Sequence, residues 1–185
     1  MEITSLVRIV SGINQKRHPL GEVFYLQSRD FLSNQLLNPA LKPSVEYSDR
    51  LEKHFLQKGD ILVMSKGHNG FNAFVYNGDK KPAVASSIFL VLKNINPIII
   101  PAYFAWYINL ESTQKELINK SRGTALPAIK TSMLAEVKIP IVSINEQLKI
   151  VKIDQLKKRE SSLVKRLDAL KIIELETKLK KIIKK

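Results

Sequence analysis

The spacing of hydrophobic and polar residues divides this chain into two parts at residue 143. In the first part, four short apolar runs predict strands: Ile61–Met64, Phe71–Tyr76, 83–86 and 88–92. Gly59-Asp60 precedes the first run, and Asn77-Gly78-Asp79, a sequence typical of hairpin turns, follows the second. Short strands separated by turns at this spacing predict an antiparallel or mixed sheet rather than a wound parallel one.

Helical spacing begins at Pro101, a residue that suits the first turn of a helix. The apolar residues that follow at helical intervals are Ala102, Tyr103, Trp106, Tyr107, Leu110, Leu117 and Ile118. Ser121-Arg122-Gly123 ends this predicted helix. A short helix around Thr131 to Leu134 and a strand at Val137 to Ile139 come next, so residues 1–142 are predicted to form one mixed α/β body.

The second part, residues 143–185, has the pattern of one long helix. Ser143 and Glu146 have the spacing of a capping box, and no glycine or proline follows, so roughly 40 residues can form a helix of about 60 Å. Its apolar seam changes phase near Ile172 and consists of Leu156, Leu163, Leu167, Leu170, Leu175, Leu179 and Ile182. Such a seam needs a partner. We expect a coiled coil or helical hairpin, with packing onto the body as the alternative, and an α+β fold class overall.

Positive charge is spread over both parts of the chain. Lys and Arg number 30 against 17 Asp and Glu, which gives a net charge of +13. Residues 146–185 hold 13 basic and 6 acidic residues, and the remainder holds 17 and 11. This surplus indicates a polyanionic partner: nucleic acid, an acidic membrane face or an acidic protein. A solvated surface without a partner is the alternative.

The sequence excludes several kinds of site and location. The absence of cysteine excludes disulfides, thiolate zinc sites and cysteine nucleophiles. The first ten residues are too polar for a signal peptide, and the longest apolar run, at 98–108, is too short to span a bilayer. These features predict a cytoplasmic protein that does not enter the membrane.

Motifs of a catalytic or cofactor site are also missing. His18, His54 and His68 have no carboxylate at metal-ligand spacing, and Gly67-His68-Asn69-Gly70 lacks the Lys-Ser/Thr of a phosphate loop. Glu136-Val137-Lys138 resembles the end of a nuclease motif, but no acidic residue precedes it at a suitable distance. We therefore expect no metal, no cofactor and no catalytic residue in this chain.

Several segments occur in a recognisable order. They are Gly59 to Leu62, Lys66-Gly67, Gly123 to Leu134, Val137 to Pro140 and Ile144 to Gln147. Together they resemble the target-recognition domain of type I restriction-modification specificity subunits, in which a strand ending in Ile-Pro and a Glu-Gln pair open a spacer helix. The resemblance covers roughly residues 7–185.

The resemblance implies a division of labour between subunits. Members of the family carry two such domains and two helices packed antiparallel, whereas this chain has one of each and so resembles a half-length subunit that pairs with its own copy. It is then expected to recognise double-stranded DNA and to direct partner methyltransferase and restriction subunits to a bipartite target. A symmetric pair implies a palindromic target. A silent recombination cassette is a further reading.

The resemblance and the charge together select candidate DNA contacts. Forked donors and amides discriminate bases, and cationic side chains neutralise phosphates. The candidates on predicted loops are Lys66, His68, Asn69, Asn72, Arg122, Thr124 and Lys130, with Lys16, Arg17, Lys80 and Lys81 as phosphate contacts. Two other function classes remain: a basic scaffold protein without DNA specificity, and an autonomous nuclease or methyltransferase, which the missing motifs disfavour.

Overall fold

Six short strands form two sheets among the described residues of the body. They are β1 (Arg8–Ser11), β2 (Phe24–Leu26), β3 (Ile61–Met64), β4 (Ala73–Val75), β5 (Ala83–Ala85) and β6 (Phe89–Lys93). β1, β6, β3 and β4 lie side by side in that order as an antiparallel sheet, and β2 pairs with β5 in parallel. This computed structural model describes residues 1–32, 35–67, 70–121 and 127–183.

Alternation along the central strands produces a core on each face of the larger sheet. Ile61 and Val63 on β3 face one core, which the helices complete. Leu62, between them, faces the other core, where it packs with Phe74 and Phe89. Both faces are therefore covered, which explains why these strands are apolar at nearly every position.

Five α-helices accompany the sheets in the part of the chain that the structure describes. They are α1 (Asp49–Glu52), α2 (Pro101–Ile108), α3 (Glu111–Lys120), α4 (Thr131–Ala135) and α5 (Ile144–Ile183). The prediction of one helix after Pro101 is wrong, because the chain breaks between α2 and α3. Asn109 causes the break: its side chain accepts a hydrogen bond from the backbone N–H of Ala73 and donates one to the carbonyl of Ala73, each at 2.8 Å.

Two strand predictions also need correction. Val137 to Ile139 is not a strand but makes a single bridge, between Lys138 and Glu2, because the partner segment at the N-terminus turns at once into a 3₁₀ helix at Ile3–Ser5. The turn at Asn77-Gly78-Asp79 is present, with Gly78 at φ +84°. It does not close a hairpin, since β5 leaves the larger sheet to pair with β2, where Val84 is fully buried.

The long helix is confirmed as a single element of 40 residues. At its start Ser143 Oγ and N both donate to a carboxylate oxygen of Glu146, at 2.7 and 2.9 Å, and the N–H of Glu146 donates to Ser143 Oγ. This reciprocal arrangement is the predicted capping box. Ile150 and Val151 pack against the body, whereas every residue from Arg159 to Ile183 is exposed. Among the described residues, no helix is long and apolar enough to cross a membrane.

Gln147 fixes the start of α5 to the body. Its side chain is fully buried. Oε1 accepts a hydrogen bond from the N–H of Ile100 at 2.8 Å, and Nε2 donates to the carbonyls of Ile98 and Val142 at 2.8 and 2.9 Å. One amide thus satisfies three backbone groups, which holds the direction of the helix relative to the sheet.

Candidate nucleic-acid interface

One end of the larger sheet collects several of the loops that the sequence marked. β3 ends there, and the backbone N–H and Oγ of Ser65 both donate to the carbonyl of Ile88, at 2.7 and 2.8 Å, just before β6 begins. The carbonyl of Ser65 accepts from the N–H of Ile129 at 2.9 Å. The end of β3, the turn before β6 and the segment before α4 therefore meet at what we term the Ser65 end.

Two of the candidate cations lie at the Ser65 end. Lys66 forms a β-bridge with Ala128, and its side chain is exposed. Lys130 follows Ile129 immediately and is exposed as well. The structure thus brings together two lysines that are 64 positions apart in the sequence. Such a pair can neutralise neighbouring phosphates of one polyanion.

Lys16 and Arg17 lie beyond the end of β1. Arg17 donates to Oε1 of Gln27 at 2.7 Å, which ties it to the residue that follows β2. Lys16, Arg17 and His18 line a hollow of about 440 Å³ together with Glu46 and Tyr47. His18 Nδ1 lies 3.4 Å from a carboxylate oxygen of Glu46. This side of the body presents cations with one acidic neighbour.

Between these cations lies a groove that the sequence did not reveal, which we term the polar groove. It has a volume of about 340 Å³ and is lined by Asn14, Tyr25, Gln27, Ser28, Arg29, Ser86, Ser87 and Ile88. Its residues come from three separate segments, joined by the parallel pairing of β2 with β5 and by the bridge between Ile13 and Ser86. No single stretch of sequence carries a signal for it.

Lys80 and Lys81 lie at the opposite end of the sheet. The hydroxyl of Tyr76 donates to the carbonyl of Lys80, and the N–H of Tyr76 donates to the carbonyl of Asp60, which precedes β3. Lys80 Nζ also donates to the carbonyl of Pro39 at 2.8 Å. These two lysines are therefore separated from Lys66 by the length of β3.

Asn72, the remaining candidate among the described residues, lies away from these cations. Asn72 is half-buried and lines a hollow of about 550 Å³ between the body and α5, with Trp106, Asn109 and Lys157 among its neighbours. His68, Asn69, Arg122 and Thr124 lie outside the described residues. Among the described residues, the cationic candidates thus fall into three pairs rather than one patch, and Lys66 and Lys130 are the pair at the Ser65 end.

A protein-family model matches most of this chain. The model of the type I restriction modification DNA specificity domain matches residues 14–185, which covers the body and α5. The chain belongs to this family. No curated protein sequence matches it at a significant level.

Solved structures share the fold of this specificity domain. One, from a study of complex assembly and conformational transition of the type I restriction-modification system, has a TM-score of 0.63 at 18% identity, over 88% of this chain and 39% of that one. The S subunit from M. genitalium gives 0.52 at 21%, over 83% and 37%. The HsdS subunit from Thermoanaerobacter tengcongensis gives 0.55 at 18%, over 84% and 43%. The chain therefore spans about two fifths of these structures, and the likeness concerns the fold.

The specificity domain ends in a helix whose apolar seam has no cover within the described chain. The exposed fraction of these side chains ranges from 49% at Leu179 to 70% at Ile182, and the seam comprises Leu156, Leu163, Leu167, Leu170, Leu175, Leu179 and Ile182. Within the described residues this seam does not pack onto the body, which was the alternative that the sequence left open. Exposed leucines in such a row are characteristic of a surface that associates with another helix.

The described residues contain no cluster of three or more His, Asp or Glu side chains that could hold a metal ion. Asp60 and Lys93 form a largely buried ion pair at 3.5 Å, and burial raises the pKa of the Asp60 carboxyl. This pair lies at the end of the sheet away from Ser65, where it supports the turn at Gln57 through a hydrogen bond of 2.9 Å.

Proposed function

We propose that this chain recognises one half-site of double-stranded DNA for a type I restriction-modification system, and that methylation and restriction are carried out by other subunits. The observation that carries the proposal is the family match, because it runs through both the body and α5. This role places the chain with the DNA of the cell, in the cytoplasm. It assigns no catalytic residue, metal or cofactor to the chain.

Positive charge at the Ser65 end supports binding to the DNA duplex. Lys66 and Lys130 are exposed beside each other, and Arg17 and Arg29 flank or line the polar groove. Neutralising a phosphate releases condensed counterions, so each such contact makes the affinity more sensitive to salt. The net charge of +13 gives the remaining surface the same sign and favours fast encounter with DNA.

The exposed seam of α5 supports association with a second helix of the same kind. We propose that two copies pair through it, so that the paired α5 helices between the two bodies set the distance between two half-sites. The partner methyltransferase subunits would assemble on this pair. A pair of identical bodies related by a twofold axis reads a palindrome whose centre is not contacted.

The experiment is a binding and methylation assay with the full chain and its partner methyltransferase. Fluorescence anisotropy with a random duplex should show binding that weakens steeply between low and physiological salt. Sequencing of methylated sites in cells that express both proteins should then give one bipartite palindrome. An asymmetric motif would overturn the homodimer but leave the recognition role intact. If no duplex is bound at low salt with the partner present, the recognition role itself is wrong and a scaffold role takes its place.

A further inference from the structure

We infer that the polar groove is where the edges of bases are read, with Arg29 and Asn14 as the residues that determine specificity. The inference rests on the proposed function and deepens it, since it names the atoms that would distinguish one half-site from another. The Arg29 side chain can donate two parallel hydrogen bonds to guanine, and an asparagine amide can pair with the edge of adenine.

The chemistry of the groove differs from that of its surroundings. Its lining consists of amide and hydroxyl side chains, the phenol of Tyr25, one aliphatic side chain, Ile88, and one cation, Arg29, without a carboxylate. Cations border it instead: Arg17 is bonded to Gln27 on one side, and Lys66 follows Ser65, which is bonded to Ile88, on the other. A surface that holds only phosphates needs charge throughout, whereas a neutral centre between charged margins fits bases between two backbones.

Asn14 is held in place by its neighbours. Gly12 allows β1 to approach the turn before β6 closely, because a Cβ at this position would lie 2.1 Å from the carbonyl oxygen of Ser86. The hydroxyl of Ser87 then donates to Oδ1 of Asn14. The hydroxyl of Tyr25 donates to the carbonyl of Ile13 at 3.0 Å. These contacts fix the backbone and the amide plane of Asn14, and its amide nitrogen retains donors for a base.

The backbone of Arg29 is also held in place by its neighbours. It lies in the 3₁₀ helix Ser28–Asp30, where the buried carboxylate of Asp30 accepts a hydrogen bond from the N–H of Gln27 at 2.7 Å. The side chain of Arg29 itself is exposed, and no described residue forms a hydrogen bond or ion pair with it. Its guanidinium is therefore available, and its backbone is positioned before any ligand arrives.

The hydroxyl of Ser86 provides a second, independent observation at the groove. It is buried and has no hydrogen-bond partner among the described residues. Buried hydroxyls in proteins are nearly always paired, either with protein groups or with ordered water. A water or base edge seated in the groove would supply that partner.

The test compares base preference with general affinity for duplexes. Selection of duplexes from a random pool, with the full chain and its partner methyltransferase, gives the preference at each position. Arg29→Ala should lower the preference for guanine at one position of the half-site by about tenfold, and Asn14→Ala should do so for adenine at another. Arg8→Ala is the matched control, because Arg8 is exposed at the other end of β1 and should leave every preference unchanged.

Arg29→Lys separates base reading from phosphate binding. It keeps the positive charge but cannot donate a bidentate hydrogen bond, so the preference for guanine should fall. The salt dependence of binding should stay as in the wild type. Melting curves establish that each variant is folded. If the wild type selects a motif and all three groove variants select the same motif with equal strength, the groove assignment is wrong and the proposed function stands. If the wild type binds no duplex, the proposed function itself fails.

Discussion

Gln147 is the residue on which the attachment of the long helix to the body depends. Replacing it with leucine leaves the N–H of Ile100 and the carbonyls of Ile98 and Val142 without their partner in a buried place. We expect Gln147→Leu to lower the free energy of unfolding by on the order of 3 kcal/mol. Urea denaturation followed by circular dichroism measures this change.

Gln155→Leu provides the control for that experiment. It makes the same substitution two turns further along the same helix, at an exposed position, and should change the free energy of unfolding by less than about 0.5 kcal/mol. Equal effects of the two substitutions would mean that the three hydrogen bonds of Gln147 contribute nothing specific to the junction.

Asp60 gives the protein a dependence on pH with a defined sign. Burial raises the pKa of this carboxyl, and the N–H of Gln57 and the ammonium of Lys93 offset only part of the effect. The folded chain therefore holds the proton more tightly than the unfolded chain. The stability that this provides is complete below the usual pKa of 3.8 and is lost as the pH rises through the higher folded value.

Asp60→Asn removes this dependence because an amide does not ionise. The free energy of unfolding of the wild type, minus that of Asp60→Asn, should decrease as the pH rises from about 4 to about 7. Urea denaturation at intervals of pH measures it, with Asp168→Asn on the exposed part of α5 as the control. A difference that grows with pH would show that Lys93 favours the carboxylate more strongly than burial penalises it.

At the scale of elements, the seam of α5 can be tested by adding one charge to it. Leu167→Glu places a carboxylate among exposed leucines that we propose to lie between two helices. An unpaired charge at such a seam opposes association, so the variant should be monomeric at concentrations where the wild type is dimeric. Sedimentation equilibrium over a range of concentrations measures the shift.

Ser161→Glu is the matched control for the seam. It adds the same charge to the same helix, but its side chain lies about 160° around the axis from Leu163, on the opposite face. It should dimerise as the wild type does. If the wild type is already monomeric at high concentration, or if Ser161→Glu and Leu167→Glu dissociate equally, pairing through this seam is wrong.

The elements that the sequence predicted well are those whose signal is local. The capping box at Ser143 and the lack of glycine and proline afterwards predicted α5, and the strand at Ile61–Met64 follows from a continuous apolar run after Gly59. The division after Ile108 was missed because it depends on Asn109 bonding to Ala73, a residue 36 positions earlier. Strand β2 was missed as well. It has only three residues, too few to show the alternation of apolar and polar side chains that predicts a strand, and its partner β5 is distant in the sequence.

At the scale of the whole molecule, the same reasoning explains what could be predicted of the candidate site. Charge and motif order indicated DNA and selected Lys66 and Lys130, which the fold does bring together. They could not show that Lys80 lies at the other end of the sheet, because that depends on the direction of each strand. The polar groove could not be predicted from the sequence for the same reason, because Asn14, Arg29 and Ser86 become neighbours only through pairings between distant segments.

Lys66 and Lys81 lie at opposite ends of the larger sheet, so substitutions at these two lysines can show which end contacts DNA. If the Ser65 end contacts the duplex, Lys66→Ala should reduce the slope of log affinity against log salt by about one, because one phosphate contact is lost. Lys81→Ala removes the same charge at the opposite end and should leave that slope unchanged. Both slopes come from anisotropy titrations at several salt concentrations. The reverse result would place the duplex against the turn at Asn77-Gly78-Asp79, and the polar groove would then face away from the bases. An equal reduction in both variants would mean that the duplex contacts the body at both ends of β3.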